Sequence, residues 1–540
     1  MNSSPLKGQA VDQKCQLNVD MDSGKCEVCK VAASLKCGGC NQVFYCSKSH
    51  QKQHWKEHKP GCAKYKVVRN DILGRHMVAT KDIREGEIIL EEKPLVVGPK
   101  TASVPLCLGC HRTLKPTSME ENEPLSFYKC SDCGWPLCAP RCKSLPSHQK
   151  ECKLMKDNQY KSTIQFENET KKESAYCCIA PLRCLLLERP LLDELLTLDA
   201  HLNERINTKL YEIYRVNLVR FIKDVLHMDV SEETILRIAG ILDTNAFDIR
   251  RSVGKIKIRG IYMKTAMLSH NCKPNTKHVI VNEDFSLQLI ALVNIRKGDI
   301  ISTTYTQPFW GTMDRRLHLR MSKCFDCTCD RCKDPTELET YLGGILCSRC
   351  RHHVISTNPL DNLAKWKCIM CSHTLTAKQI AMGNDSIKSE LAGLDKTEPT
   401  GLEMFLDKFQ AQDSVLHDQN QHIVQAKLAL LQIYETSVEE LSEEQLIRKV
   451  NICRDLLSIL DTLEPGITKL KAKILYDLQA GMVLLTKIQY EQDQLSLEEA
   501  KDNCEEAMRY LAESTEIIKT EPDLSTLLID KAESLSKIFQ

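Results

Sequence analysis

Aromatic residues are scarce in this chain: Phe, Trp and Tyr fill only 5% of its 540 positions. Hydrophobic residues nevertheless reach 42% and charged ones 27%, which excludes a wholly disordered polymer. No run approaches the roughly 18 uncharged apolar residues that a membrane span requires. The stretch from Met1 to Lys14 lacks the apolar centre of a secretion signal. These absences lead us to expect a protein that is not secreted and that works in the nucleus, the cytoplasm or both. In a reducing compartment, Cys-x-x-Cys pairs point to metal rather than disulfides. That inference matters, because 28 cysteines are present.

The length suggests three to five domains. The net charge of +1 conceals an uneven distribution. Residues 371–540 hold 17 basic and 30 acidic side chains, so the remainder is strongly basic. A basic front and an acidic, helically patterned back read as separate modules.

Most of the cysteines fall into metal-type clusters. The first consists of Cys26 and Cys29, Cys37 and Cys40, Cys46 and His50, and His58 and Cys62. Four pairs of donors suffice for two tetrahedral zinc sites. A second cluster repeats the plan with Cys107 and Cys110, Cys130 and Cys133, Cys138 and Cys142, and His148 and Cys152. Downstream, Cys327, Cys329 and Cys332 supply three ligands and need a fourth from elsewhere. Cys347, Cys350, Cys368 and Cys371 form a self-contained set of zinc-ribbon type. The count comes to about six zinc ions.

Between the clusters the pattern changes. Short β-branched runs around glycine turns mark strands in residues 72–98 and 256–305. Residues 176–250 carry helical spacing instead. One β domain, split by a finger and a helical insert, accounts for this order. From about Gly401 onward apolar residues recur at helical spacing, which predicts an antiparallel helical array.

The first cluster, with Phe44-Tyr45-Cys46, Trp55 and His58, resembles the MYND zinc finger. The resemblance implies interleaved pairs: Cys26, Cys29, Cys46 and His50 on one ion, Cys37, Cys40, His58 and Cys62 on the next. In the second finger it implies Cys107, Cys110, Cys138 and Cys142, then Cys130, Cys133, His148 and Cys152. Such fingers bind short peptides, proline-containing ones among them. Gly74-Arg75-His76, Ser269-His270-Asn271-Cys272 and Arg296-Lys297-Gly298-Asp299, closing on Tyr305, resemble the SET domain of protein-lysine methyltransferases. The order of segments is similar to the SET-and-MYND family, and the extra finger to its arthropod-specific branch.

The implied fold is α+β and multidomain. Residues 1–25 are expected to be disordered and 26–62 to form MYND finger 1. The SET N-terminal part follows at 67–106, MYND finger 2 at 107–152, a helical insert at 153–255 and the SET core at 256–306. A post-SET zinc segment (307–335), a four-cysteine ribbon-like site (340–375) and a tetratricopeptide-like helical domain (376–540) complete the chain.

The resemblance also implies chemistry. A methyl group would pass from S-adenosylmethionine to a lysine of a protein substrate, histone or non-histone. Tyr305 matches the catalytic tyrosine. Gly74, Arg75, His76, Asn245, Ser269, His270, Tyr305 and Phe325 match cofactor-contacting positions, and Cys272 the missing ligand beside Cys327, Cys329 and Cys332. Three positions depart from the family pattern. His76 stands for its second glycine, Ser269 for an asparagine, and Lys323 where related enzymes often place a channel tyrosine. They support an alternative, a catalytically weak or inactive zinc adaptor of co-repressor type. Direct nucleic-acid binding is not expected, because the cysteine spacing is not that of a base-reading finger.

Overall fold

The computed structural model describes residues 24–37, 43–114, 127–166, 171–250, 257–281, 283–411 and 413–521. The chain divides into two units, 1–66 and 67–540. In the first, Gly24–Lys25 pairs with Ala32–Ala33 and Leu35–Lys36 with Phe44–Tyr45. Helix Lys48–Gly61 follows, started by Ser47, whose side chain accepts the His50 amide. The segment expected to be disordered thus gives its last two residues, Gly24 and Lys25, to a strand. Residues 1–23 and Cys40 lie outside the described residues.

The β core of the second unit is made of three small sheets. Gly74–Ala79 pairs with Ile300–Thr303, which also pairs in parallel with Ser269–His270. Ile88–Glu92, Ser286–Ala291 and Thr276–Val281 form the next sheet, and Val96–Pro99, Lys257–Ile261 and Phe247–Arg250 the third. The glycines that marked the turns do so through positive φ: +76° at Gly86 and +95° at Gly298. Asn275 stitches the first sheet to the second, donating to the Ile300 carbonyl and accepting from the Ser302 amide at 2.8 Å each.

The insert is helical through Ile179–Leu185, Arg189–Leu195 and Glu232–Asn245, with π-helical turns at Tyr214–Val219 and Phe221–Val225. It stops earlier than the expected residue 255. Phe247–Arg250 is extended because it pairs antiparallel with Lys257–Ile261, and that sheet partner overrides local helical spacing.

Finger 2 is locked to this core by Arg183. Its guanidinium makes a two-pronged bond to Glu151 (2.5 and 2.7 Å), donates to the carbonyls of Val97 and Leu108, and meets His111. Farther along, Ile345–Leu346, His353–Ser356, Trp366–Cys368 and Thr374–Leu375 make a four-stranded antiparallel ribbon. Among the described residues, six helices then pack in succession: Ala377–Gly393, Thr400–Gln410, Gln421–Thr436, Glu443–Leu463, Lys469–Glu491 and Leu497–Ile518. Capping boxes at Thr376/Gln379, Ser442/Gln445 and Ser496/Glu499 start three of them. Leu430, Leu456, Leu460 and Leu478 are fully buried between them.

This tail is fastened to the SET core at one corner. Gly466, at φ +90°, lies so close to Leu292 that a Cβ there would stand 1.8 Å from the Leu292 oxygen. Lys277 reaches across to the Ile467 carbonyl, Thr520 and Glu521.

Candidate active site and metal centres

The metal sites arise from short-range geometry. In each Cys-x-x-Cys knuckle at Cys26, Cys107, Cys130 and Cys347, the residue after the second cysteine is left-handed. These are Lys30, His111, Gly134 and Arg351, with φ between +57° and +74°. That residue also donates its amide back to the carbonyl of the first cysteine, which curls the pair around one point. Among the described residues, five sets of four donors converge, with all ligand atoms of a set within 4.8 Å of one another. They are Cys26, Cys29, Cys46 and His50; Cys107, Cys110, Cys138 and Cys142; Cys130, Cys133, His148 and Cys152; Cys272, Cys327, Cys329 and Cys332; and Cys347, Cys350, Cys368 and Cys371. In the first finger Cys37 also lies 3.9 Å from the Cys62 sulfur and 3.3 Å from the His58 ring. The fourth expected member of that group, Cys40, is outside the described residues.

These sets fit zinc. Bonds of about 2.3 Å to a tetrahedral ion place sulfurs about 3.8 Å apart. The close sulfur pairs here are 3.5 Å at Cys29/Cys46, 3.6 Å at Cys130/Cys152, 3.6 Å at Cys272/Cys332 and 3.7 Å at Cys347/Cys371. Each set would fill all four positions with protein donors, a structural arrangement rather than a catalytic one. Of the remaining cysteines, Cys178, Cys184 and Cys453 are buried, while Cys177, Cys324 and Cys504 are partly exposed.

Residues outside the ligand sets orient the ligands. Glu151, 1% exposed, faces His148 Nδ1 at 3.5 Å while Arg183 holds its other side. Arg315 is wholly buried and donates to Cys272 Sγ at 3.2 Å and to Glu337 at 2.6 Å. Arg331 joins the same glutamate. Two guanidiniums against one carboxylate leave positive charge facing four thiolates, which is favourable in a dry interior. Sequence reasoning missed Arg315, Glu337, Glu151 and Arg183, for none belongs to a spaced motif.

The Cys272 site leads directly to Tyr305. His270 Nδ1 accepts the Tyr305 amide at 3.0 Å, so the ring proton sits on Nε2, which faces Cys272 Sγ at 3.2 Å. Burial draws His270 down to about 4. The Tyr305 hydroxyl donates to the Leu268 carbonyl at 2.6 Å, and burial pushes the phenol up to about 12. Leu268 is itself placed by Glu92, whose carboxylate accepts from Lys264 N, Thr265 N and Thr265 Oγ1. Phe325 packs against His270 with ring centroids 5.9 Å apart.

The other named residues are each held by local contacts. Gly74 has φ +63°, and the space where a Cβ would stand is open. Arg75 reaches the Thr197 carbonyl at 2.6 Å, and Asn245 Nδ2 bonds the neighbouring Asp199 carbonyl at 2.8 Å. His76 is buried, with Nδ1 turned back to the Gly74 carbonyl at 3.1 Å. Ser269 and His270 pair with Ser302 and Thr303. Lys323 ends the helix Thr312–Lys323 and donates to the carbonyls of Thr244 (2.6 Å) and Asp243 (3.3 Å). Burial, with Arg205 nearby, brings its ammonium down to about 8.

Comparison with known proteins agrees with this architecture. Residues 26–62 match the MYND finger model and residues 74–306 the SET domain model. The SET domain-containing protein SmydA-8, isoform A, of Drosophila melanogaster is 30% identical over 59% of this chain and 67% of its own length. Its isoform B is 27% identical over 62% and 72%. Histone-lysine N-methyltransferase ASHR1 of Arabidopsis thaliana is 25% identical over 61% and 67%. A finger and a split β core in this order, together with that degree of identity, make the chain a member of the SET and MYND domain-containing family.

Proposed function

We propose that the chain is an S-adenosylmethionine-dependent N-methyltransferase acting on lysines of histone or non-histone proteins. The observation that carries this reading is the Tyr305 hydroxyl seated on the Leu268 carbonyl, with His270 fixing the Tyr305 backbone from behind. A methyl in flight between sulfur and nitrogen carries partial positive charge, and fixed oxygen dipoles around it favour its passage. S-adenosylmethionine, when bound, supplies the electrophilic methyl on its sulfonium.

Every other task falls to the protein. Gly74 offers backbone without a side chain, where a ligand can approach closely. Arg75, His76, Asn245, Ser269 and His270 would line the cofactor, with Phe325 covering it. A water-poor channel at the amine would favour its neutral, nucleophilic form. Orientation of the amine toward the methyl supplies much of the rate. The ASHR1 name, a histone-lysine methyltransferase, supports the substrate class.

The two fingers act in this reading as docking modules for short peptides, and about six zinc ions hold the chain together. It works in the nucleus, the cytoplasm or both. A second reading, a zinc adaptor without catalysis, draws on the buried His76 ring folded over Gly74. Titration calorimetry of zinc-loaded protein with S-adenosylmethionine separates the two. Saturable binding, with methyl transfer lost in Tyr305→Phe, supports the enzyme. No binding by a protein that retains its zinc leaves the adaptor.

A further inference from the structure

An amine already stands beside Tyr305. Lys323 Nζ lies 5.6 Å from the centroid of the Tyr305 ring, over its face. Three features hold it there. The helix stops at Lys323 because Cys324 is left-handed (φ +60°), a conformation costing a non-glycine residue roughly 1–2 kcal/mol. The ammonium is bound by two carbonyls, those of Asp243 and Thr244. Arg205, bonded to the Ser322 carbonyl and Thr244 Oγ1, braces the turn on its other side.

The partners of this lysine are unusual for a surface cation. Among the described residues, no carboxylate lies within ion-pair distance of it. The Asp243 side chain faces Arg259 at 3.1 Å and the Tyr214 hydroxyl at 3.1 Å instead. An ammonium held by neutral carbonyls over an aromatic face is stabilised while charged, yet can still lose its proton. That is the situation a protein lysine must meet before it accepts a methyl group.

We propose that Lys323 is itself a methyl acceptor of this enzyme, modified within its own chain. The inference rests on the methyltransferase reading above. The Lys323 ammonium first gives one proton to solvent; the neutral nitrogen then uses its lone pair to form the N–C bond as the C–S bond breaks. Sulfur keeps the bonding pair and becomes a neutral thioether, and the product stays a methylated ammonium.

Two measurements on full-length, zinc-loaded protein test this. In the first, without cofactor, trace acetylation by acetic anhydride is read by peptide mass spectrometry. Across a pH series, Lys323 should reach half-maximal acetylation at a lower pH than the exposed Lys297. Coincident profiles would mean the amine is not seated, and would overturn the inference. In the second, methyl-labelled S-adenosylmethionine is added and calorimetry is run in parallel. Label on Lys323 at a rate first order in protein is the expected result, and Lys323→Met should bind cofactor without gaining that label. Cofactor binding with Lys323 unlabelled, or labelled at second order, overturns the inference alone. Absence of cofactor binding overturns the methyltransferase reading and the inference with it, even where Lys323 shows the lowered midpoint in the first measurement.

Discussion

The imidazole of His270 accepts the backbone amide of Tyr305 at 3.0 Å, while its opposite nitrogen faces a thiolate of the Cys272 site. A single ring thus links the position of the four-cysteine site to the backbone of Tyr305. Replacing it with phenylalanine keeps the volume and removes both bonds. We expect His270→Phe to retain its zinc content and lose roughly 10–100-fold in single-turnover methyl transfer. Unchanged transfer would show that the tyrosine holds its place without the ring.

Arg315 should matter to zinc rather than to chemistry. Arg315→Met leaves Glu337 buried beside Arg331 alone, and takes a full positive charge away from Cys272 and Cys332. Chelator competition should show one zinc released roughly 10–100-fold more readily, with the finger and ribbon ions unaffected.

In the tail, Lys449 and Asp477 form a buried pair at 2.8 Å, at 0% and 4% exposure. Burial raises the Asp477 carboxyl and Lys449 opposes that rise. Lys449→Met strands the carboxylate and should cost roughly 3–5 kcal/mol in urea unfolding. Pairing it with Asp477→Leu should recover most of the loss, because no unpaired charge remains.

Acid should loosen the helix Gln421–Thr436. His422 is fully buried against Asn384, and burial lowers it to about 4, below the usual value near 6.5. Above pH 6.5 neither folded nor unfolded chain is protonated there. As pH falls through 6.5 the unfolded chain takes the proton first, so stability declines until the folded value near 4 is passed. The total is on the order of 3 kcal/mol. Hydrogen exchange in that helix should therefore quicken between pH 6.5 and 4, and His422→Gln should flatten the dependence.

Local spacing made the metal donors legible, because two cysteines three positions apart can share an ion only through one knuckle. The same locality exposed Gly86 and Gly298 as turns and Tyr305 as the end of its motif. What holds these parts in place was not legible. Glu92 meets Thr265 across 173 positions, and Arg183 meets Val97 across 86. A charged residue in such a role looks, in sequence, like any surface charge. Phe247–Arg250 failed for a different reason: its extended form comes from pairing with Lys257–Ile261 rather than from its own residue spacing.

The first finger has a hydrophobic cluster of Cys26, Ala33, Cys37, Tyr45 and Cys62, in which three of five members are metal donors. Such a core contains too little hydrocarbon to stand without its ions. The fold of the finger therefore depends on its metal supply. In a zinc-starved cell, newly made copies would present an unfolded leading segment to proteases while the leucine-rich tail had already packed, so the abundance of intact protein would follow the availability of the metal.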